Sequence, residues 1–92
     1  MEIEFDPEKN KKNIRERRLS FERVAEVDFN TALIYPDTRK DYSEIRYIAL
    51  CYLDQRLHVL VFSETERGIR VISFRKANNR EAKQHGKPTT FV

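Results

Sequence analysis

Ile45-Arg46-Tyr47-Ile48-Ala49-Leu50-Cys51-Tyr52-Leu53 is followed by Asp54-Gln55-Arg56 and then by Leu57-His58-Val59-Leu60-Val61-Phe62, and this stretch decides the fold. Apart from Arg46, the first run is apolar at both strand parities, as expected inside a covered sheet. Three polar residues turn it into a second run of the same kind. Glu64 to Gly68 makes the next turn, and Ile69 to Arg75 forms the last strand. Links this short join antiparallel neighbours, because parallel neighbours need a crossover of about a dozen residues or more. Ala32-Leu33-Ile34-Tyr35, stopped by Pro36-Asp37, adds a short strand ahead of them. The stretch predicts an antiparallel meander.

Toward the amino terminus, Ile3 and Phe5 alternate with Glu2 and Glu4, the pattern of a short half-exposed strand. Asp6-Pro7-Glu8 offers an N-cap, a proline at the first helical position and an acid in the first turn. The helix it opens, about 7–17, is very polar. Ser20 caps a second helix, about 21–28, whose buried stripe is Phe21, Val24, Ala25 and Val27. Toward the carboxyl terminus, Asn78 or Asn79 caps a final helix, and Glu81 resembles the far side of a capping box. Gly86 and Pro88 end that helix and leave a loose tail from about residue 87. The order predicts one α+β domain over residues 1–92, an antiparallel sheet with two N-terminal helices and one C-terminal helix packed on one face. Alternation along the last strand places Arg75 with Ile69, Val71 and Ser73, and Arg70 with Ile72 and Phe74.

A 92-residue chain buries roughly 60–65% of its unfolded surface and can fold without disulfides or metals. The single cysteine, Cys51, cannot form an internal bridge and reads as a buried thiol in a reducing cytoplasm. One Cys and two distant His cannot build a zinc site, and no cofactor is expected. Met1-Glu2-Ile3-Glu4-Phe5-Asp6 is not the start of a signal peptide, and no apolar stretch approaches the ~20 residues of a membrane span.

The net charge of +3 is unevenly spread. Residues 9–18 carry six cations against Glu16, and residues 67–87 carry seven against Glu81. Two such blocks point to a polyanionic partner, most simply RNA or DNA, although an acidic protein would satisfy the same charge. In Ile69-Arg70-Val71-Ile72-Ser73-Phe74-Arg75-Lys76-Ala77-Asn78-Asn79-Arg80-Glu81 a strand ends in paired cations and turns into a helix. That junction brings Arg75, Lys76 and Arg80 near helix N–H groups, a combination suited to a phosphodiester.

These fragments together resemble the BrnT family of bacterial toxins, within the wider RelE/ParE-like superfold. The resemblance runs from Phe5 to Glu81. It rests on Phe5-Asp6 with Lys9 and Asn13, Ser20-Phe21 with Ala25, and Asp37, Arg39 and Asp41-Tyr42 with Glu44, Arg46 and Tyr47. Val71-Ile72-Ser73, Arg75-Lys76-Ala77 and Glu81 complete it. Family members often carry His-Gly where this chain has Arg17-Arg18, so no role of that histidine carries over. The resemblance implies a ribonuclease toxin of a type II toxin–antitoxin pair. It also implies a ribbon-helix-helix, BrnA-like antitoxin that blocks the toxin and, with it, binds operator DNA.

Metal-free RNA cleavage needs a base for the ribose 2′-OH, cations for the charge that builds on phosphorus, and an acid for the 5′-oxygen. Arg75 is the first candidate for the charge, with Arg80 and Lys76 beside it and Arg46 as a second clamp. Arginine stays protonated and cannot easily be the base; a lysine or Glu44 is the candidate there, and Glu44 can equally pair with Arg46. Lys9, Lys12, Arg17, Arg18 and Arg70 are expected to meet RNA phosphates. Tyr42 and Tyr47 could stack on bases, although Tyr47 shares its strand face with Ile45 and Ala49. His58, in line with Leu60 and Phe62, reads as a core or sheet-surface residue, and His85 as a helix-end cation. Two other functions fit the chain: a noncatalytic antitoxin-binding corepressor, and a ParE-like toxin acting on DNA gyrase.

Overall fold

The meander is present in the computed structural model, which describes residues 1–90. Its strands are β1 (Glu2–Phe5), β2 (Asp28–Pro36), β3 (Tyr47–Leu53), β4 (Arg56–Glu64) and β5 (Gly68–Lys76). They form one sheet in the order β1-β5-β4-β3-β2. The pairs from β2 to β5 are antiparallel, as the short links require. β1 instead pairs parallel to β5, Ile3 opposite Ile69, so the sheet is mixed rather than a pure meander. Pairing at this edge needs Gly68: a Cβ there would run into the backbone of Glu2.

Helix α1 (Pro7–Arg17) starts where expected, with the Asp6 side chain accepting the Glu8 N–H at 2.9 Å. It docks by hydrogen bonds rather than by an apolar stripe, because its buried residues are Asn10 and Asn13. Asn10 Oδ1 accepts the Phe21 N–H at 2.8 Å, and Asn13 Nδ2 donates to the carbonyls of Leu19 and Phe74, each at 2.9 Å. The expected second helix is a 3-10 helix (Phe21–Glu26), and β2 begins only two residues later, at Asp28. Three residues per turn explains its burial: Phe21, Val24 and Val27 point inward while Ala25 is exposed. β3 likewise starts at Tyr47, leaving Ile45 exposed.

The helices do not share one face. Leu19, Phe21, Val24 and Val27 pack on the sheet face of Leu60, Phe62, Val71 and Phe74. Helix α2 (Asn79–Gln84) packs through Ala82 on the opposite face, against a cluster that includes Leu50, Leu57, Val59 and Val61. A β-bulge also corrects the predicted parity of β5. Val61 lies opposite Ser73 while Phe62 lies opposite Val71, so Ile72 is an extra residue. Beyond it every side chain changes face. Phe74 therefore joins Ile69 and Val71 in the first cluster, and Arg75, opposite Val59, faces α2.

Of the tail expected to be loose, residues 88–90 are tied to the sheet. The Tyr52 hydroxyl donates to the Pro88 carbonyl at 2.7 Å, and the Leu57 N–H to Thr89 at 2.7 Å. Residues 91 and 92 lie outside the described part. Cys51 is buried, which pushes its thiol up to about 12, so it stays protonated and unreactive near neutral pH. Among the described residues no helix is long and apolar enough to cross a membrane.

Candidate active cleft

The capping box at α2 forms as its sequence suggests: Asn78 Oδ1 accepts the Glu81 N–H at 2.8 Å, and Glu81 Oε1 accepts the Asn78 N–H at 3.0 Å. The same carboxylate receives both terminal nitrogens of Arg75, at 2.8 and 2.7 Å. Arg75 beside it, aided by the Asn78 N–H, lowers the Glu81 carboxyl to about 2. The guanidinium is thus held by two hydrogen bonds in the lining of a cleft of about 420 Å³ between α2 and the sheet.

Three further groups line this α2 cleft. Arg39 donates through Nε and Nη2 to Asp37, both at 2.8 Å, and holds that buried carboxyl well below the usual carboxylate range. Arg46 lies over the Tyr42 ring, 4.2 Å from its centroid. Its Nε is buried 3.5 Å from a Glu44 oxygen, with no hydrogen-bond partner among the described residues. His85, just past the end of α2, stacks on Tyr35 with ring centroids 5.6 Å apart. Guanidiniums fixed by carboxylates or a ring, with an imidazole lining the same cleft, can stabilise a developing anion and move a proton.

The other expected residues are distributed over the molecule. Lys76 ends β5 opposite His58, on the far side of the sheet from Arg75. There it lines a second cleft with Arg17 and Arg18, and the side of Arg75 borders this cleft too. Arg80 is exposed and lines neither cleft, so the expected trio of Arg75, Lys76 and Arg80 is not assembled. Glu44 is exposed, on a loop beside Tyr42 and outside the α2 cleft. Lys9 and Lys12 border a shallow groove beside α1. Arg70 pairs with Glu4 at 3.3 Å on the β1 edge, away from both clefts. Tyr47 stacks on Phe62, centroids 5.5 Å apart, and packs against the first core cluster.

Arg39, His85 and Glu81, which the sequence placed only in a capping box, are charged or titratable groups in the cleft that sequence reasoning did not assign to a site. For His85 a signal existed, because it follows Glu81 by four residues and so shares its helix face. For Arg39 only the Asp37-x-Arg39 spacing hinted at a fixed guanidinium. His58 is buried, its Nδ1–H donates to the Arg56 carbonyl at 2.7 Å, and burial lowers its pKa, so it stays neutral near pH 7. Among the described residues no three His, Cys, Asp or Glu side chains gather to hold a metal ion.

No curated protein matches the chain significantly. A family model does match, that of the ribonuclease toxin BrnT of type II toxin–antitoxin systems, over residues 5–81 of 92. The match runs from β1 into the first turn of α2, covering Arg39, Arg46, Arg75 and Glu81; His85 lies beyond it. The chain belongs to the BrnT family, and a type II system pairs its toxin with an antitoxin protein.

Proposed function

We propose that the α2 cleft is the active centre of a metal-independent endoribonuclease. The observation that carries this is Arg75, fixed by Glu81 in a cleft that also holds Arg39, Arg46 and His85. The 2′-oxygen attacks phosphorus and the P–O5′ bond breaks, leaving a 2′,3′-cyclic phosphate and a free 5′-hydroxyl. Arg75 and Arg46 stabilise the charge that builds on the phosphorane oxygens, an effect worth several kcal/mol for fixed donors. Glu81 orients Arg75; a carboxyl held near 2 is too weakly basic to take the 2′-proton well at neutral pH. In this scheme His85 accepts the 2′-proton, and the departing 5′-oxygen takes its proton from solvent. A ribbon-helix-helix antitoxin neutralises the toxin in the cytoplasm, and operator DNA is bound only through the pair.

A second function, a noncatalytic partner that only tunes operator binding, draws on the carboxylate pairing of Arg39 and Arg75. Cleavage of a labelled RNA by purified protein in EDTA separates the two. Wild type is expected to cut and leave cyclic-phosphate ends, and Arg75→Ala to cut about 10²–10³-fold more slowly while keeping its circular dichroism spectrum. Full activity in Arg75→Ala, or loss of wild-type activity in EDTA, refutes the scheme.

A further inference from the structure

On the sheet face opposite the α2 cleft, at the same end of β5, lies a cleft of about 690 Å³ beside the carboxyl end of α1. Its size suits a small ligand or a nucleotide unit, for which roughly 300–1,000 Å³ is usual. His58 and Leu53 form part of its wall, with the imidazole ring 5.2 Å from that of Phe74. Six cationic side chains line it against one carboxylate, Asp54. Asp54 is engaged by Arg23 at 2.8 Å, and Arg75 by Glu81. Arg17, Arg18, Arg56 and Lys76 remain, with no carboxylate partner among the described residues.

Two of these four are held in place by neutral oxygens. Arg17 donates to Asn13 Oδ1 at 2.8 Å, and Asn13 is itself anchored on the Leu19 and Phe74 carbonyls. Arg56 donates to the carbonyls of Leu57 and Ala77, each at 2.9 Å. A guanidinium oriented by carbonyl and amide oxygens keeps its full charge and has spare N–H groups, which suits bidentate phosphate binding. Arg75 borders both clefts, so a strand passing over the end of β5 meets them in succession.

We propose that the α1 cleft binds a backbone phosphate of single-stranded RNA neighbouring the one cut in the α2 cleft. The proposal rests on RNA being the substrate. Arg17 and Arg56 supply the contacts fixed by hydrogen bonds, and the exposed Arg18 and Lys76 close on the phosphate beside them. An acidic protein surface is the competing occupant, and a pairing fork matched to phosphate beside a second cationic cleft favours the nucleic acid.

Arg18 provides a test that separates charge from fold. It occupies the left-handed region at φ 56°, where glycine is better suited. Arg18→Gly should therefore leave the melting temperature unchanged or raise it, while weakening RNA. The probe is a 2′-O-methyl oligoribonucleotide, which cannot be cut, titrated against wild type, Arg18→Gly, Lys76→Gln and the double variant across salt concentrations. Each phosphate neutralised contributes about 0.7 to the slope of log K on log salt, so the double variant, which releases one phosphate, should lose up to about 0.7. Unchanged affinity and slope in the double variant overturn the proposal and leave RNA cleavage standing. Variant-sensitive binding without any cleavage of ordinary RNA supports the cleft and defeats the catalytic scheme instead. Absence of binding by wild type overturns both.

Discussion

Glu81→Gln separates the two tasks of Glu81. Glutamine still accepts the Asn78 N–H, as it does in other capping boxes, but it cannot form an ion pair with Arg75. In the folded chain Arg75 and the Asn78 N–H hold this carboxyl at about 2, against an ordinary 4.5. A depressed carboxyl binds fewer protons folded than unfolded. Its stabilisation is therefore complete above the unfolded value and is lost as pH falls through the folded one. The displacement from 4.5 to about 2 sets a ceiling of roughly 3 kcal/mol. The Glu81 and Arg75 side chains keep 24% and 32% exposure, and solvent screening brings the contribution to on the order of 2 kcal/mol. With an m-value of about 1–1.5 kcal/mol/M in urea for a chain of this size, the Glu81→Gln midpoint should fall by roughly 1.5 M at pH 7. Urea unfolding followed by circular dichroism at pH 7, 4 and 3 measures it. The midpoints of wild type and variant should converge as the pH drops, because wild type loses what the variant never had. Equal midpoints at pH 7, or a gap that stays constant down to pH 3, would show that the charge of the pair stabilises nothing.

Gly68→Ala drives a Cβ into the backbone of Glu2, so it should cost about 2 kcal/mol and speed amide exchange in β1 before the rest of the sheet. Exchange that remains slow in β1 would show that its pairing with β5 absorbs the clash. Asn13→Ala removes the donor to two carbonyls and the acceptor for Arg17, at a cost of about 2 kcal/mol. A melting temperature lower by roughly 8–16 °C is expected, and Asn13→Asp should not rescue it, because a carboxylate offers no N–H to those carbonyls.

Local chemistry was legible in the sequence and long-range register was not. The span of α1, the Asn78–Glu81 capping box and the links from β3 to β5 depend on neighbouring residues, and each can be read from spacing and turn composition. The bulge at Ile72 has no such signature, because Val71-Ile72-Ser73-Phe74 fits either parity of a strand covered on both faces. Missing it puts Arg75 on the wrong side of the sheet. The parallel pairing of β1 depends on a contact more than sixty residues away, and the 3-10 helix differs from an α-helix only in which of Ala25 and its neighbours turn inward. Arg75 and Arg46 both line the α2 cleft, but the grouping of Arg75 with Arg80 assumes that helix residues just after a strand face the strand's last side chains. Arg80 instead lies on the exposed side of α2.

Charge counting misleads for a related reason. The basic block at 67–87 loses Arg67 to Glu2, Arg70 to Glu4 and Arg75 to Glu81, two of these acids coming from the other end of the chain. The block at 9–18 loses only Lys11, to Glu8, among the described ion pairs. Among the described residues, five cations of the first block (Lys9, Lys12, Arg15, Arg17 and Arg18) and four of the second (Lys76, Arg80, Lys83 and Lys87) keep no carboxylate partner and attract a polyanion over a distance, while Arg39, Arg46 and Arg75 in the α2 cleft are each already matched by a carboxylate or a ring. Long-range attraction falls steeply with ionic strength, and contacts inside a fixed cleft are screened less. Under this division of labour, salt should slow the capture of RNA far more than it slows the cleavage of RNA already bound.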